Sequence, residues 1–262
     1  MDLQLSERTV LVTGGSSGVG LATVATLLDE GARVITCGRR LDALEKALAD
    51  LGADSDRVHA VTCDVRREDE VAAMIEAGVR RFGGLDGVVN NAGQSRMLGL
   101  SDATIEDFRD ELDLKFSSVL NTMTAALPHL KRSDAAAVVT INAVLARQPE
   151  PRLATTSAAR AGLLNLTKTM ALEFAECGIR VNSVCLGLID TGQWRRRYEA
   201  DARELSFAAW ERELADDRGI ALGRFGTADE VAAMVVTLLS PRASYVTGAA
   251  LDVCGGVSRY LA

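Results

Sequence analysis

Residues 8–31, RTVLVTGGSSGVGLATVATLLDEG, decide the fold. A β-rich apolar run, RTVLVT (8–13), ends in a cluster of glycines, and the helical pattern LATVATLLDEG follows at once. Gly14, Gly18 and Gly20 leave backbone N–H groups open at a helix N-terminus, where peptide dipoles gather about half a positive charge. Ser16 and Ser17 add hydroxyl donors, so the turn suits a phosphate group. The alternative is a tight turn that only packs helix on strand. Its place after the first strand of an alternating chain favours the phosphate.

That alternation runs to the end. ARVITC (32–37), RVHAVTC (57–63), LDGVVN (85–90), AAAVVTI (135–141), IRVNSVCL (179–186) and AALDVCGG (249–256) read as strands. LDALEKALADLG and the segments near 67–82, 104–130, 155–177 and 227–239 read as helices. Short apolar strands without alternation predict a parallel sheet covered on both faces. Right-handed crossovers then make it α/β: a single doubly wound parallel-sheet (Rossmann) domain over 1–262, with about seven strands. Only 192–218, GQWRRRYEADARELSFAAWERELADDR, breaks the rhythm; it is polar, carries both tryptophans and reads as a helical substrate lid.

Composition narrows the function. The 262 residues, 48% hydrophobic, supply one full core. A net charge of −7 without a basic stripe argues against nucleic acid. Five scattered cysteines, odd in number and without C-x-x-C spacing, suit free thiols in a reducing compartment. Two histidines, His59 and His129, give little material for a metal site or a Ser-His-Asp triad. The opening MDLQLSERTV has no leader pattern, and no run reaches membrane-spanning length. The expectation is a cytoplasmic protein with a small-molecule ligand, no metal and no membrane contact.

The end of the second strand refines the ligand. An acid there would bond an adenosine ribose, yet VITCGRRLDAL offers Arg39 and Arg40, with Asp42 already in the next helix. Guanidinium forks suit a 2′-phosphate, so the reading is NADP(H) over NAD(H), the alternative being two solvated surface charges.

These motifs resemble the short-chain dehydrogenase/reductase family over essentially the whole chain. TGGSSGVG (13–20) is similar to its cofactor loop, CDV (63–65) to its adenine site, NNAG (90–93) to the loop by the adenine ribose. GIRVNSVCLGLIDTG (178–192) resembles the strand that cups the nicotinamide, with Leu186 where proline is usual, and 223–256 resembles the C-terminal block. The resemblance implies that Gly14, Ser16, Ser17, Gly18, Val19 and Gly20 hold the pyrophosphate and Arg39 the 2′-phosphate. Asp64 and Val65 would take the adenine, Asn90, Ala92 and Gly93 the ribose side, and Gly187, Ile189 and Thr191 the carboxamide. It also implies a homodimer or homotetramer through the helices near 104–130 and 155–177.

The family's chemistry needs a tyrosine, a lysine four residues on, a serine and an asparagine. Here those positions fall on Thr156, Arg160, Ala143 and Lys115, all substituted. A threonine hydroxyl is a far weaker acid than a phenol at about 10, and alanine has no donor. Arg160 keeps a positive charge for the cofactor ribose but relays no proton. If Lys115 and Arg160 share a pocket, like charge and burial push Lys115 towards neutrality and make it a usable acid. The alternative is a lysine reaching to water or pairing with Asp113 or Glu111. Thr155, Ser157 and Asn142 lie close by and read as caps or packing hydrogen bonds.

In the lid, QWRRRYE sets Trp194, Arg195 and Tyr198, with Arg196 and Arg197, just after Thr191. An arginine beside an aromatic ring suits a carboxylate or phosphate on an apolar body, such as an acyl thioester. Arg147 and Arg152 flank the same site, with Glu150 between them. Three readings follow: an NADP(H)-dependent oxidoreductase acting on an anionic or acyl-linked carbonyl/alcohol with Lys115 as its proton-transfer group; an inactive NADP(H)-binding sensor or partner subunit; or cofactor-independent chemistry on an anionic substrate.

Overall fold

The computed structural model describes residues 1–201 and 203–260; Ala202, inside the 192–218 segment, and the final two residues of the expected domain lie outside the described residues. Seven strands form one parallel sheet: β1 (Thr9–Thr13), β2 (Arg33–Gly38), β3 (Val58–Thr62), β4 (Gly87–Asn90), β5 (Ala137–Ala143), β6 (Arg180–Leu186) and β7 (Ala250–Val253). Their order is β3-β2-β1-β4-β5-β6-β7. The connecting helices are α1 (Gly18–Asp29), α2 (Leu41–Asp50), α3 (Glu68–Phe82), α4 (Ile105–Leu130), α5 (Ala154–Phe174), α6 (Gly192–Glu199), α7 (Phe207–Arg218) and α8 (Ala228–Leu239).

Side chains alternate across each strand, and both faces are apolar. Val10, Val12 and Val34 join a core with α1, α2 and α8, while Leu11, Ile35 and Val88 join one with α3, α4 and α5. That two-sided burial is why the strands read as unbroken apolar runs. A third, smaller cluster gathers Trp210 and Phe225 with Trp194 and Tyr198 packed against it, joining the 192–218 segment to Val144, Ile220 and Val257.

Helix ends are tied down by polar chemistry. α4 and α8 begin with capping boxes, Thr104 with Asp107 and Thr227 with Glu230. Arg180, buried at the start of β6, donates to the carbonyls of Leu238, Leu239 and Ser240 at 2.8–3.1 Å, satisfying the orphan acceptors at the end of α8. No helix of the described residues is long and apolar enough to cross a membrane.

The sheet order reverses between β1 and β4, leaving a crevice at the carboxyl ends of these strands. The glycine turn enters it from β1. Gly14 and Gly18 have φ of +73° and +54°, open to glycine at no steric cost. Gly20 matters for a different reason. A Cβ there would sit 2.2 Å from the Gly14 carbonyl oxygen, so α1 closes onto the turn only with glycine. Gly20→Ala should destabilise the fold by about 1–3 kcal/mol in urea unfolding and weaken nucleotide binding with it.

Candidate active site

One cleft of about 870 Å³ occupies the crevice. Its walls include Gly14, Ser16, Ser17, Gly18 and Val19 at the turn, Arg39, Asp64 and Val65 at one end, and Asn90, Ala92 and Gly93 in the middle. Lys115, Ala143, Arg160, Gly187, Ile189, Thr191 and Trp194 line the rest. Residues from widely separated stretches of sequence thus meet in one place.

The turn is locked from behind by two residues that the motifs alone do not single out. Asn91 Nδ2 donates to the carbonyls of Thr13 (2.8 Å) and Gly14 (3.1 Å), and the Thr13 hydroxyl accepts from the backbone N–H of Asn91 and Ala92 at 3.0 Å each. The asparagine sits inside the NNAG motif, which is the signal that could have found it. Cleft-lining groups elsewhere lack partners: both amide atoms of Asn90, and Nε and Nη1 of Arg160, are sealed from solvent without a hydrogen bond. Orphaned buried polar atoms of this kind are uncommon in proteins and suit a hydrogen-bonding ligand. With open backbone at Gly14 and Gly18, the donor set fits a dinucleotide.

At the far end, Arg39 is exposed and reaches the cleft, whereas Arg40 does not line it and instead precedes the first turn of α2. Asp64 accepts a forked pair of bonds from Arg66 (2.9 and 3.2 Å), which holds its carboxyl below the usual range.

The end of the cleft where the four substituted positions fall is built on β5, α4 and α5. Lys115 is 4% exposed; its Nζ donates to the Gln94 carbonyl at 2.7 Å and pairs with Glu111 Oε1 at 3.3 Å. Burial, followed by the like charge of Arg160, pushes Lys115 down to about 8 against the opposing pull of Glu111. Burial likewise lowers Arg160, offset by Glu111. Lys115 thus shares the cleft with Arg160 and also pairs with Glu111. Asp113, the other candidate partner, accepts from Ser117 at 2.6 Å instead.

Thr156 departs from expectation. It is fully buried, does not line the cleft, and its hydroxyl donates to Glu111 Oε1 at 3.2 Å. A threonine is too short to span the space that a phenol would cross from the same backbone. Ala143 ends β5 at the cleft wall with no donor, and neighbouring Asn142 is occupied by the Ala143 N–H (2.9 Å) and the Arg160 carbonyl (3.2 Å). Thr155 and Ser157 are buried at the start of α5.

The lid residues also sort differently from expectation. Of the expected substrate set, Trp194 faces the cleft, but Arg195 and Tyr198 do not. Arg195 forks onto Asp190 and lies 3.5 Å over the Phe207 ring; the Tyr198 hydroxyl donates to the Leu205 carbonyl at 2.7 Å. α6 has one face for its aromatic cluster and another for the cleft, and the helical turn puts Arg196 and Arg197 on the latter. Arg197, 4.3 Å over Trp194, is half-buried; burial and then Arg218 lower it, while Glu150 opposes. Arg218 pairs with Glu150, and Gln193 Nε2 reaches across to the Ser95 carbonyl at 3.1 Å.

The family model described as Enoyl-(Acyl carrier protein) reductase matches residues 14–258. The chain belongs to the short-chain dehydrogenase/reductase family. An uncharacterized oxidoreductase of Mycobacterium bovis is 36% identical over 252 residues, covering 96% of this chain and 97% of that one. A 4-formylbenzenesulfonate dehydrogenase of Comamonas testosteroni is 34% identical over 255 residues, covering 97% and 99%. Among solved structures, a short chain oxidoreductase from Pseudomonas aeruginosa PAO1, described as containing an atypical catalytic center, is 46% identical. Its apo form superposes with a TM-score of 0.94 and its NADPH-bound form with 0.93, each over 98% of this chain and 99% of that one. Membership of this oxidoreductase family agrees with the doubly wound parallel sheet described above.

Because the Tyr198 phenol is tied into the lid core, it takes no part in the site. Tyr198→Phe should cost about 0.5–1.5 kcal/mol in thermal unfolding and leave nucleotide affinity unchanged by calorimetry.

Proposed function

We propose that this chain is an NADP(H)-dependent oxidoreductase acting on a carbonyl/alcohol pair, with Lys115 as the proton-transfer group in place of the family's phenol. The observation that carries this reading is the meeting of a dinucleotide cradle with two cations in one cleft, the buried Lys115 and the half-buried Arg160, whose Nε and Nη1 are sealed from solvent. The NADPH-bound structure of the Pseudomonas aeruginosa relative supports the cofactor, and its atypical center supports a rebuilt site.

When bound, reduced nicotinamide supplies the hydride to the carbonyl carbon. The chain's own residues do the rest. Gly14, Gly18 and the start of α1 take the pyrophosphate, Arg39 the 2′-phosphate, Asn90 and Arg160 the ribose hydroxyls. Lys115, as ammonium, bonds the carbonyl oxygen and gives it a proton as charge develops; water then returns the proton to the amine. Arg160 adds positive field without releasing a proton. Ala143 contributes shape only.

The cleft end around Trp194, Arg196, Arg197 and Arg218 carries three cations against Glu150. It suits a substrate with an anionic group on an apolar body, and the Comamonas relative is named for such a compound. A second reading, an NADP(H) sensor without turnover, draws on the donor-free Ala143 and on the Thr156 hydroxyl turned to Glu111.

Calorimetry should show NADPH binding more tightly than NADH. Arg39→Ala should weaken NADPH about tenfold or more and leave NADH unchanged. Loss of nicotinamide absorbance in stopped flow, with a panel of anionic aldehydes and ketones, separates enzyme from sensor. Reduction needs Lys115 protonated, so kcat/KM should fall as pH rises through about 8, and the reverse reaction should gain over the same range. Lys115→Met should lower turnover by about 10²–10⁴ with NADPH affinity kept; unchanged turnover would exclude Lys115.

A further inference from the structure

One acidic side chain at the foot of the cleft has no part in the reaction above. Glu111 is 2% exposed, on α4, one turn before Lys115. At i and i+4 the two side chains share a helix face, with the acid on the favourable N-terminal side. Its Oε1 receives both the Lys115 ammonium (3.3 Å) and the Thr156 hydroxyl (3.2 Å), the latter from α5.

Burying a carboxylate among protein atoms is unfavourable, and apolar replacements of such groups are often as stable or more so. The neighbouring acids of α4 avoid that cost: Asp110 and Asp113 are both exposed. What Glu111 does is fix a cation. An ammonium has three N–H donors. The Lys115 ammonium gives one N–H to the Gln94 carbonyl and sits in an ion pair with Glu111, which holds it from two sides at the cleft that it lines.

We propose that Glu111 and Thr156 are positioning residues for Lys115: the hydroxyl anchors the carboxylate, and the carboxylate holds the ammonium at the cleft wall, where it can meet a substrate oxygen. This deepens the reading of Lys115 as proton donor and rests on it. It also gives Thr156, which is buried and does not line the cleft, a role that needs no acidity. The charged groups that act on Nζ are few. Arg160 faces it from α5 and Glu111 from its own helix; the Gly93–Gln94 segment and the end of β5 contribute uncharged groups. Glu111 opposes Arg160 and keeps the donor protonated at neutral pH.

Four lysines, Lys46, Lys115, Lys131 and Lys168, make a test without substrate practical. In protein labelled with 13C-lysine, the Lys115 signal is the one missing from Lys115→Met, and its pH midpoint is read by NMR. Glu111→Gln, which keeps shape and the bond from Thr156, should lower that midpoint by about one pH unit or more. Thr156→Val should lower it in the same sense, and Thr156→Ser should restore it. A Lys115 midpoint unmoved in Glu111→Gln and Thr156→Val, with NADPH still bound by calorimetry, would overturn the pairing. Turnover retained in Lys115→Met would instead sink the donor reading, so the two failures are distinguishable.

Discussion

Three charged groups share one wall of the cleft: Glu111 pairs with Lys115 and acts on Arg160 through space. At 3.3 Å, with the effective dielectric typical of protein, the Lys115–Glu111 attraction is about 5 kcal/mol. Desolvating each ion costs several kcal/mol, so the pair contributes little net stability. Losing one member is another matter, since it strands a buried charge. Such a cluster belongs where charge has a use, and the cleft gives it one: Arg160 keeps two unsatisfied guanidinium nitrogens beside a wall built for a nucleotide.

The fold makes this arrangement possible by giving each part of the site its own support. The parallel sheet, buried on both faces, fixes β1, β4 and β5 side by side and brings their carboxyl ends to one crevice. Asn91 and Thr13 tie the glycine turn to the loop after β4, so the cradle is braced by hydrogen bonds of its own. α4 and α5 then pack together on one face and carry Glu111, Lys115, Thr156 and Arg160, with the Gln94 carbonyl of the loop after β4 holding the Lys115 ammonium. The segment after Thr191 packs Trp194, Tyr198, Phe207 and Trp210 with Val144, Phe225 and Val257 in a cluster beside the cleft.

Much of this was legible in the sequence because it rests on local pattern. Apolar runs and glycine spacing located every strand to within a few residues, and the i, i+4 frame of Thr156 and Arg160 marked the altered centre. What stayed hidden depended on direction. The way a threonine hydroxyl turns, or which of three adjacent lid arginines faces inward, is set by packing across elements. Arg195 and Arg197 are two residues apart, and the helix alone puts them on different faces. Glu111 was visible only as a partner for Lys115; its burial and its second bond, from Thr156, come from tertiary contact.

A crystal structure of this chain with NADPH tests the central claim most directly, through the distance from Lys115 Nζ to an oxygen held over the nicotinamide C4. Hydrogen-bond reach, about 2.6–3.2 Å, with Arg160 on the ribose hydroxyls, is the expected result. A nicotinamide ring lying away from α4, or Lys115 turned to bulk water once the cofactor is bound, would contradict it.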